Sequence, residues 1–213
     1  MTLVAFDFDG TLSQSDLSVL LGREYDRGNE IRNIAEQGMR GEVDFETSLR
    51  QRISLLEGMP ERQMERAFER AKLRKGAADL ISDLRGSDVG VAIITGSFEQ
   101  GVEAALDRAG ISVDWTVANQ IVIENGALTG EVEGPLVDAG KDRALEELVL
   151  AEGVDAGQTI AIGNGSSDIP MLQSADTAIG YDPESIVEMH CDVVVTSIRK
   201  LQLYLEQSGF IDA

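Results

Sequence analysis

The sequence predicts an α/β protein: a parallel sheet covered by helices on both faces, with a small α-helical unit inserted after the first strand. Three observations predict it. Short apolar runs alternate with helical stretches through the last two thirds of the chain. No strand-like run occurs between about residues 13 and 73. Polar residues able to do chemistry stand where the apolar runs stop, the edge at which open α/β sheets bind ligands. The expected organisation is a core formed by 1–14 and 74–213, with a helical cap over 15–73.

The elements follow in order. Leu3-Val4-Ala5-Phe6 is a short β-prone run, read as a buried strand rather than a signal peptide because acids follow and no basic leader precedes it. Helices are predicted over 16–25, 29–38, 45–56 and 60–73. Leu49, Ile53 and Leu56 share one face of the third, and Pro60 suits a first helical turn. A helix over 76–85 precedes a strand over 89–95 and a helix over 99–109. Asn125-Gly126 between apolar runs at 117–124 and 127–131 is a two-residue hairpin signal. Helix 141–152, strand 159–163, helix 169–174, strand 177–179, helix 183–189, strand 193–195 and helix 198–207 complete the alternation.

Hydrophobic residues make up 43% of the 213 residues, enough for a packed core. No apolar run reaches the roughly 18 residues of a membrane span. The single cysteine, Cys191, excludes an intrachain disulfide and fits a reducing cytoplasm. Beside His190, it reads as structural rather than catalytic. The formal charge is −20, from 38 acids against 18 bases. Such a field disfavours nucleic acid and anionic membranes as partners, leaving a small molecule as the expected one. It points to a salt-accumulating cell, because at about 1 M salt the Debye length is about 3 Å.

Four groups at strand ends or helix starts carry the chemistry. Asp7, Asp9 and Thr11 follow the first strand. Thr95, Gly96 and Ser97 follow the second. Lys141 starts a helix, and Asn164 and Asp168 lie in Gly163-Asn164-Gly165-Ser166-Ser167-Asp168. Acids, a hydroxyl, a lysine and glycine-rich turns on one edge suit phosphoryl transfer. One carboxylate attacks phosphorus and another shuttles the proton. A divalent cation overcomes the repulsion between carboxylate and phosphate. Mg²⁺ takes oxygen ligands, here Asp7, Asn164 and the Asp9 carbonyl. Lys141 and Thr95 are placed to bind phosphoryl oxygens.

Together these residues resemble the four motifs of the haloacid dehalogenase superfamily of phosphatases, whose core is a Rossmann-like parallel sheet. Asp7-Phe8-Asp9-Gly10-Thr11 is similar to the first motif, Thr95 to the second, Lys141 to the third and residues 163–168 to the fourth. Residues 41–56, Ala118-Asn119-Gln120 running into the 125–130 hairpin, and residues 163–172 resemble the phosphoserine phosphatase branch. The resemblance implies Asp7 as nucleophile and metal ligand, and Asp9 as general acid and base with its carbonyl on Mg²⁺. It implies Thr95, Gly96 and Lys141 as the phosphate site. Arg52 falls on a cap arginine that grips a substrate carboxylate, Asp16 on an acid that grips an ammonium, and Phe45 on a residue that shields the site.

Four positions depart from that pattern. Asn164 stands where the family has aspartate, removing one negative charge from the metal site, with Asp168 close enough in sequence to compensate as a ligand. Ser167 replaces asparagine, Thr95 replaces serine, and Asp16 is one methylene shorter than the usual glutamate. Three functional readings follow: a phosphoserine phosphatase; a phosphatase or phosphotransferase for another small phosphorylated metabolite; and a catalytically weakened binding or regulatory homologue. The sequence leaves the oligomeric state open.

Overall fold

The computed structural model describes residues 1–137, 140–154 and 157–211. Its centre is a seven-stranded sheet of β1 (Leu3–Phe6), β2 (Gly90–Phe98), β3 (Trp115–Glu124), β4 (Ala127–Glu133), β5 (Thr159–Gly163), β6 (Thr177–Tyr181) and β7 (Val193–Val195). The strand order is β4-β3-β2-β1-β5-β6-β7. All neighbours pair in parallel except β3 and β4. β1 is central, with Val4 between Val91 and Ile160 and Phe6 between Ile93 and Ile162.

The period-two alternation of side chains sends β1, β2 and β5 residues to two cores. Val4, Phe6, Val91 and Ile93 pack with Leu80 and Leu84 of α5 (Ala77–Gly86) and Leu201 and Leu205 of α10 (Ile198–Gln207). Leu3, Ala5, Ala92 and Ile94 pack with Leu145 of α7 (Lys141–Glu152) and Leu172 of α8 (Ile169–Ser174). A strand buried on both faces has to be apolar throughout, which is why Leu3-Val4-Ala5-Phe6 reads as it does. The remaining core helices are α6 (Glu99–Ala109) and the short α9 (Ser185–Glu188).

Between β1 and α5 the described chain is helical: α1 (Leu17–Glu24), α2 (Gly28–Met39), α3 (Phe45–Ser54) and α4 (Glu61–Phe68). α1 packs on α2 and α4, α2 packs on α3, and α3 packs on β4. The β3–β4 hairpin turns at Asn125 and Gly126, with φ of 52° and 77°, the left-handed pair that its two-residue turn requires. The hairpin also meets the segment after α3: Gly58 N donates to Leu128 O at 2.8 Å, and Leu128 N to Met59 O at 2.9 Å.

Several elements differ from expectation at their ends, among them α3, β3, β4, β6 and α9 by two or three residues, and two differences bear on the site. α4 ends at Phe68 instead of running to 73, because the returning chain pairs with the outgoing one: Ser13 bridges Leu73, and Gln14 N donates to Lys72 O at 3.1 Å. β2 continues past 95 to Phe98, which pairs with Asn119 after a register shift. Both outcomes depend on partners distant in sequence. No helix among the described residues is long and apolar enough to cross a membrane.

Candidate active site

The site is built at the carboxyl ends of β1, β2 and β5. Asp7 directly follows β1, and its N–H extends the ladder by donating to Ile162 O at 2.8 Å. Lys141, the first residue of α7, is buried and reaches back across the sheet edge. Its Nζ donates to Asp7 Oδ1 at 2.5 Å and to Asp168 Oδ1 at 2.6 Å. The other oxygen of Asp168 accepts from Asn164 N at 2.8 Å and Gly165 N at 2.9 Å. Asp168 thus holds both the lysine and the turn after β5, and both of its oxygens are engaged.

Asp9 accepts from Leu17 N with both carboxylate oxygens at 3.2 Å, at the start of α1. Asp16 caps the same helix by accepting from Val19 N at 3.1 Å, and its second oxygen faces Arg52 Nη1 at 3.1 Å. Ser18 Oγ accepts from that same nitrogen at 2.9 Å, while Arg52 Nε donates to Ser48 O at 3.2 Å. The buried Thr95 takes Ser97 N on its hydroxyl at 3.2 Å. Phe45 lies over Gly96 so closely that a side chain at 96 would collide with its ring. Every residue expected to be catalytic, phosphate-holding, substrate-binding or metal-ligating lines one cavity of about 250 Å³.

This cavity carries more carboxylate than cation. Burial, then the charge of Asp168, pushes Asp7 up to about 7 against the pull of Lys141. Burial, then Asp16 and Asp7, holds Asp9 well above the usual carboxylate range. Burial works against the Lys141 ammonium, but Asp168 and Asp7 outweigh it and raise its pKa. Uncompensated charge and hard oxygen donors at Asp7, the Asp9 carbonyl and Asn164 fit a divalent cation of the Mg²⁺ type. Among the described residues no group of three or more His, Cys, Asp or Glu is placed to hold a metal, and the side-chain oxygen of Asn164 is a neutral donor beside the acids. That oxygen accepts from Thr11 Oγ1 at 3.0 Å.

Three supports of the site were not assigned from sequence. Asn119 is fully buried; its amide donates to Gly96 O at 3.0 Å and accepts from Leu136 N at 2.9 Å, bracing the glycine. Ser18 shares Arg52 with Asp16. Arg74 grips the turn after Asp9. Asn119 had a signal, a polar residue inside an apolar strand; Arg74 reads in sequence as an ordinary surface charge. Cys191 lies outside the cavity, donating to Val187 O at 3.3 Å, and burial with Asp192 and Glu188 pushes its thiol up to about 11.

A carboxylate at the end of the central strand, a lysine bridging two acids and the buried Arg52 thus line one cavity at the carboxyl edge of the sheet. The chain belongs to the haloacid dehalogenase-like hydrolase family, whose model matches residues 4–173. It is similar to a phosphoserine phosphatase of Halobacterium salinarum, 44% identical over 209 residues that cover 98% of this chain and 99% of that protein. A phosphoserine phosphatase of Methanocaldococcus jannaschii is 31% identical over 207 residues, covering 96% of this chain and 97% of its own. Among solved structures, a phospho-aspartyl intermediate analogue of phosphoserine phosphatase superposes with a TM-score of 0.90 at 30% identity, covering 95% of this chain and 98% of that one. A substrate-bound phosphoserine phosphatase complex gives the same TM-score and identity, covering 95% and 97%.

Proposed function

We propose that this protein is a magnesium-dependent phosphoserine phosphatase that hydrolyses O-phospho-L-serine through a phospho-aspartate on Asp7. The observation that carries the reading is the joining, in one cavity, of a lysine-bridged Asp7 with the Asp16–Arg52 pair. The first handles a phosphoryl group and the second offers opposite charges to an ammonium and a carboxylate. The relatives named phosphoserine phosphatase at near full length support the same substrate.

In the first half-reaction an Asp7 oxygen attacks phosphorus, the bond from phosphorus to the seryl oxygen breaks, and the Asp9 carboxyl gives its proton to that oxygen. Burial, which raises its pKa, favours the protonated form that Asp9 needs in order to give this proton. In the second half-reaction Asp9 takes a proton from water as the water oxygen attacks phosphorus. The bond to Asp7 breaks and phosphate leaves. The Lys141 ammonium, the Thr95 hydroxyl and the Gly96 amide hold the phosphoryl oxygens as charge develops. Asp7, the Asp9 carbonyl and Asn164 would hold Mg²⁺, which neutralises charge between carboxylate and phosphate. Residues 15–73 act as the cap, and Phe45 shields the phosphoryl group against Gly96.

The test is phosphate release from L-phosphoserine in multimolar KCl, with and without Mg²⁺. Wild type turns over only with metal, and Asp7→Asn lowers kcat by about four orders of magnitude. O-phosphoethanolamine, which lacks the carboxylate, reacts with a higher KM. Absence of phosphoserine turnover at every salt concentration overturns the substrate assignment.

A further inference from the structure

The turn after Asp9 offers three consecutive carbonyls to a single residue. Arg74 Nη2 donates to Gly10 O at 2.7 Å and Arg74 Nε to Thr11 O at 3.1 Å. Arg74 N donates to Leu12 O at 2.7 Å. The guanidinium lies 4.9 Å from the ring centroid of Tyr181, the buried last residue of β6. The planar fork is thereby used in its plane by the two carbonyls and on its face by the ring.

This turn needs holding. Gly10 has φ of 84°, and a Cβ there would lie 2.5 Å from Asn164 Nδ2, so the backbone passes directly over the amide. The next residue, Thr11, donates its hydroxyl to Asn164 Oδ1 at 3.0 Å. The peptide entering the turn carries the Asp9 carbonyl. The carbonyls of Gly10 and Thr11 take part in no helix or sheet ladder, so the fork supplies what regular structure supplies elsewhere.

We propose that Arg74 is a positioning residue for the cation half of the site: it fixes the Gly10–Leu12 turn and, through it, the Asn164 amide and the Asp9 carbonyl. The inference rests on the metal assignment made above. It accounts for a neutral asparagine serving as a cation ligand. An amide oxygen attracts a cation less than a carboxylate does, so its orientation has to be set beforehand. Lysine does not substitute, because an ammonium on a flexible stem lacks the planar fork and the ring-stacking face.

The experiment compares wild type, Arg74→Met and Arg74→Lys in multimolar KCl. Calorimetric titration with MgCl₂ alone gives metal affinity. Steady-state kinetics on phosphoserine at saturating Mg²⁺ give kcat and KM, and melting curves report folding. Both variants are expected to bind Mg²⁺ about tenfold or more weakly and to lose about tenfold or more in kcat, the range seen when residues supporting metal ligands are removed. KM for phosphoserine stays within about twofold, because Arg52 and Asp16 are untouched. A folded variant with wild-type Mg²⁺ affinity and kcat overturns the proposal, whatever its melting temperature. Should Arg74→Met not fold, Arg74→Lys is judged by the same criterion. Wild type that binds Mg²⁺ without hydrolysing phosphoserine overturns the substrate reading alone, and the titration still decides Arg74. Wild type that binds no Mg²⁺ overturns both.

Discussion

Arg52 Nη1 donates to Asp16 Oδ2 at 3.1 Å, tying α3 to the N-terminus of α1 on the cavity wall. The arginine is 7% exposed, so this partner matters to its charge more than solvent does. A zwitterionic ligand can replace each member's partner with one of opposite charge. Arg52→Lys, which keeps the charge and loses the fork, is expected to raise KM for phosphoserine about tenfold, roughly 1.4 kcal/mol. KM for p-nitrophenyl phosphate, which has no carboxylate, should stay near wild type. Equal losses on both substrates would show that Arg52 only supports the fold.

Asn164→Asp returns a negative charge to the cation site. Magnesium affinity is expected to rise about tenfold, read as a lower half-saturating concentration in a calorimetric titration. Without metal the same variant should melt lower than wild type, since the new carboxylate joins Asp7 and Asp168, already tied to one lysine. An unchanged affinity would remove Asn164 from the ligand set.

The metal-free protein should be more stable in mild acid. Burial first, then Asp168, pushes the folded pKa of Asp7 up to about 7 from an ordinary 3.8. A carboxyl raised on folding binds more protons folded than unfolded. Its stabilisation is fully present below 3.8 and is lost as pH rises through about 7. Asp9, raised chiefly by burial, adds in the same direction. Melting without divalent cations should therefore be higher at pH 5.5 than at pH 8, by about 3 °C or more. Added Mg²⁺ should stabilise more at pH 8 than at pH 5.5, where protons compete with it. A flat profile would contradict the excess of carboxylate in the cavity.

Salt should stabilise the whole chain. With a net charge of −20, self-repulsion falls as the screening length shortens from about 10 Å at 0.1 M to about 3 Å at 1 M. The melting temperature is expected to climb between 0.1 M and multimolar KCl, by about 5 °C or more. A melting temperature independent of KCl would reduce the acidic composition to an ordinary surface.

The strand and helix pattern was legible because it is written locally. Four apolar residues ahead of Asp7 have no role except a central strand, and Asn125-Gly126 suits a left-handed turn wherever it stands. The reactive groups were legible for a related reason: a motif keeps its residues adjacent, as in 7–11 and 163–168. Asp16 was legible as a charge partner, whereas in the fold one of its oxygens caps α1 and the other faces Arg52.

What the sequence determined by itself was the order of elements, the edge of the sheet that carries chemistry, and the residue types there. Only the tertiary structure decided how those residues pair. Lys141 and Asp7 are 134 positions apart, and Arg74 and Gly10 are 64 apart. At such separations the sheet order and the returning 72–74 segment decide which groups meet. The same holds for both oxygens of Asp168 being spent on Lys141 and the turn after β5, and for Asn119 bracing Gly96. Local propensity is set by each residue and its neighbours, whereas a hydrogen bond across the fold exists only once packing has brought both partners to one place.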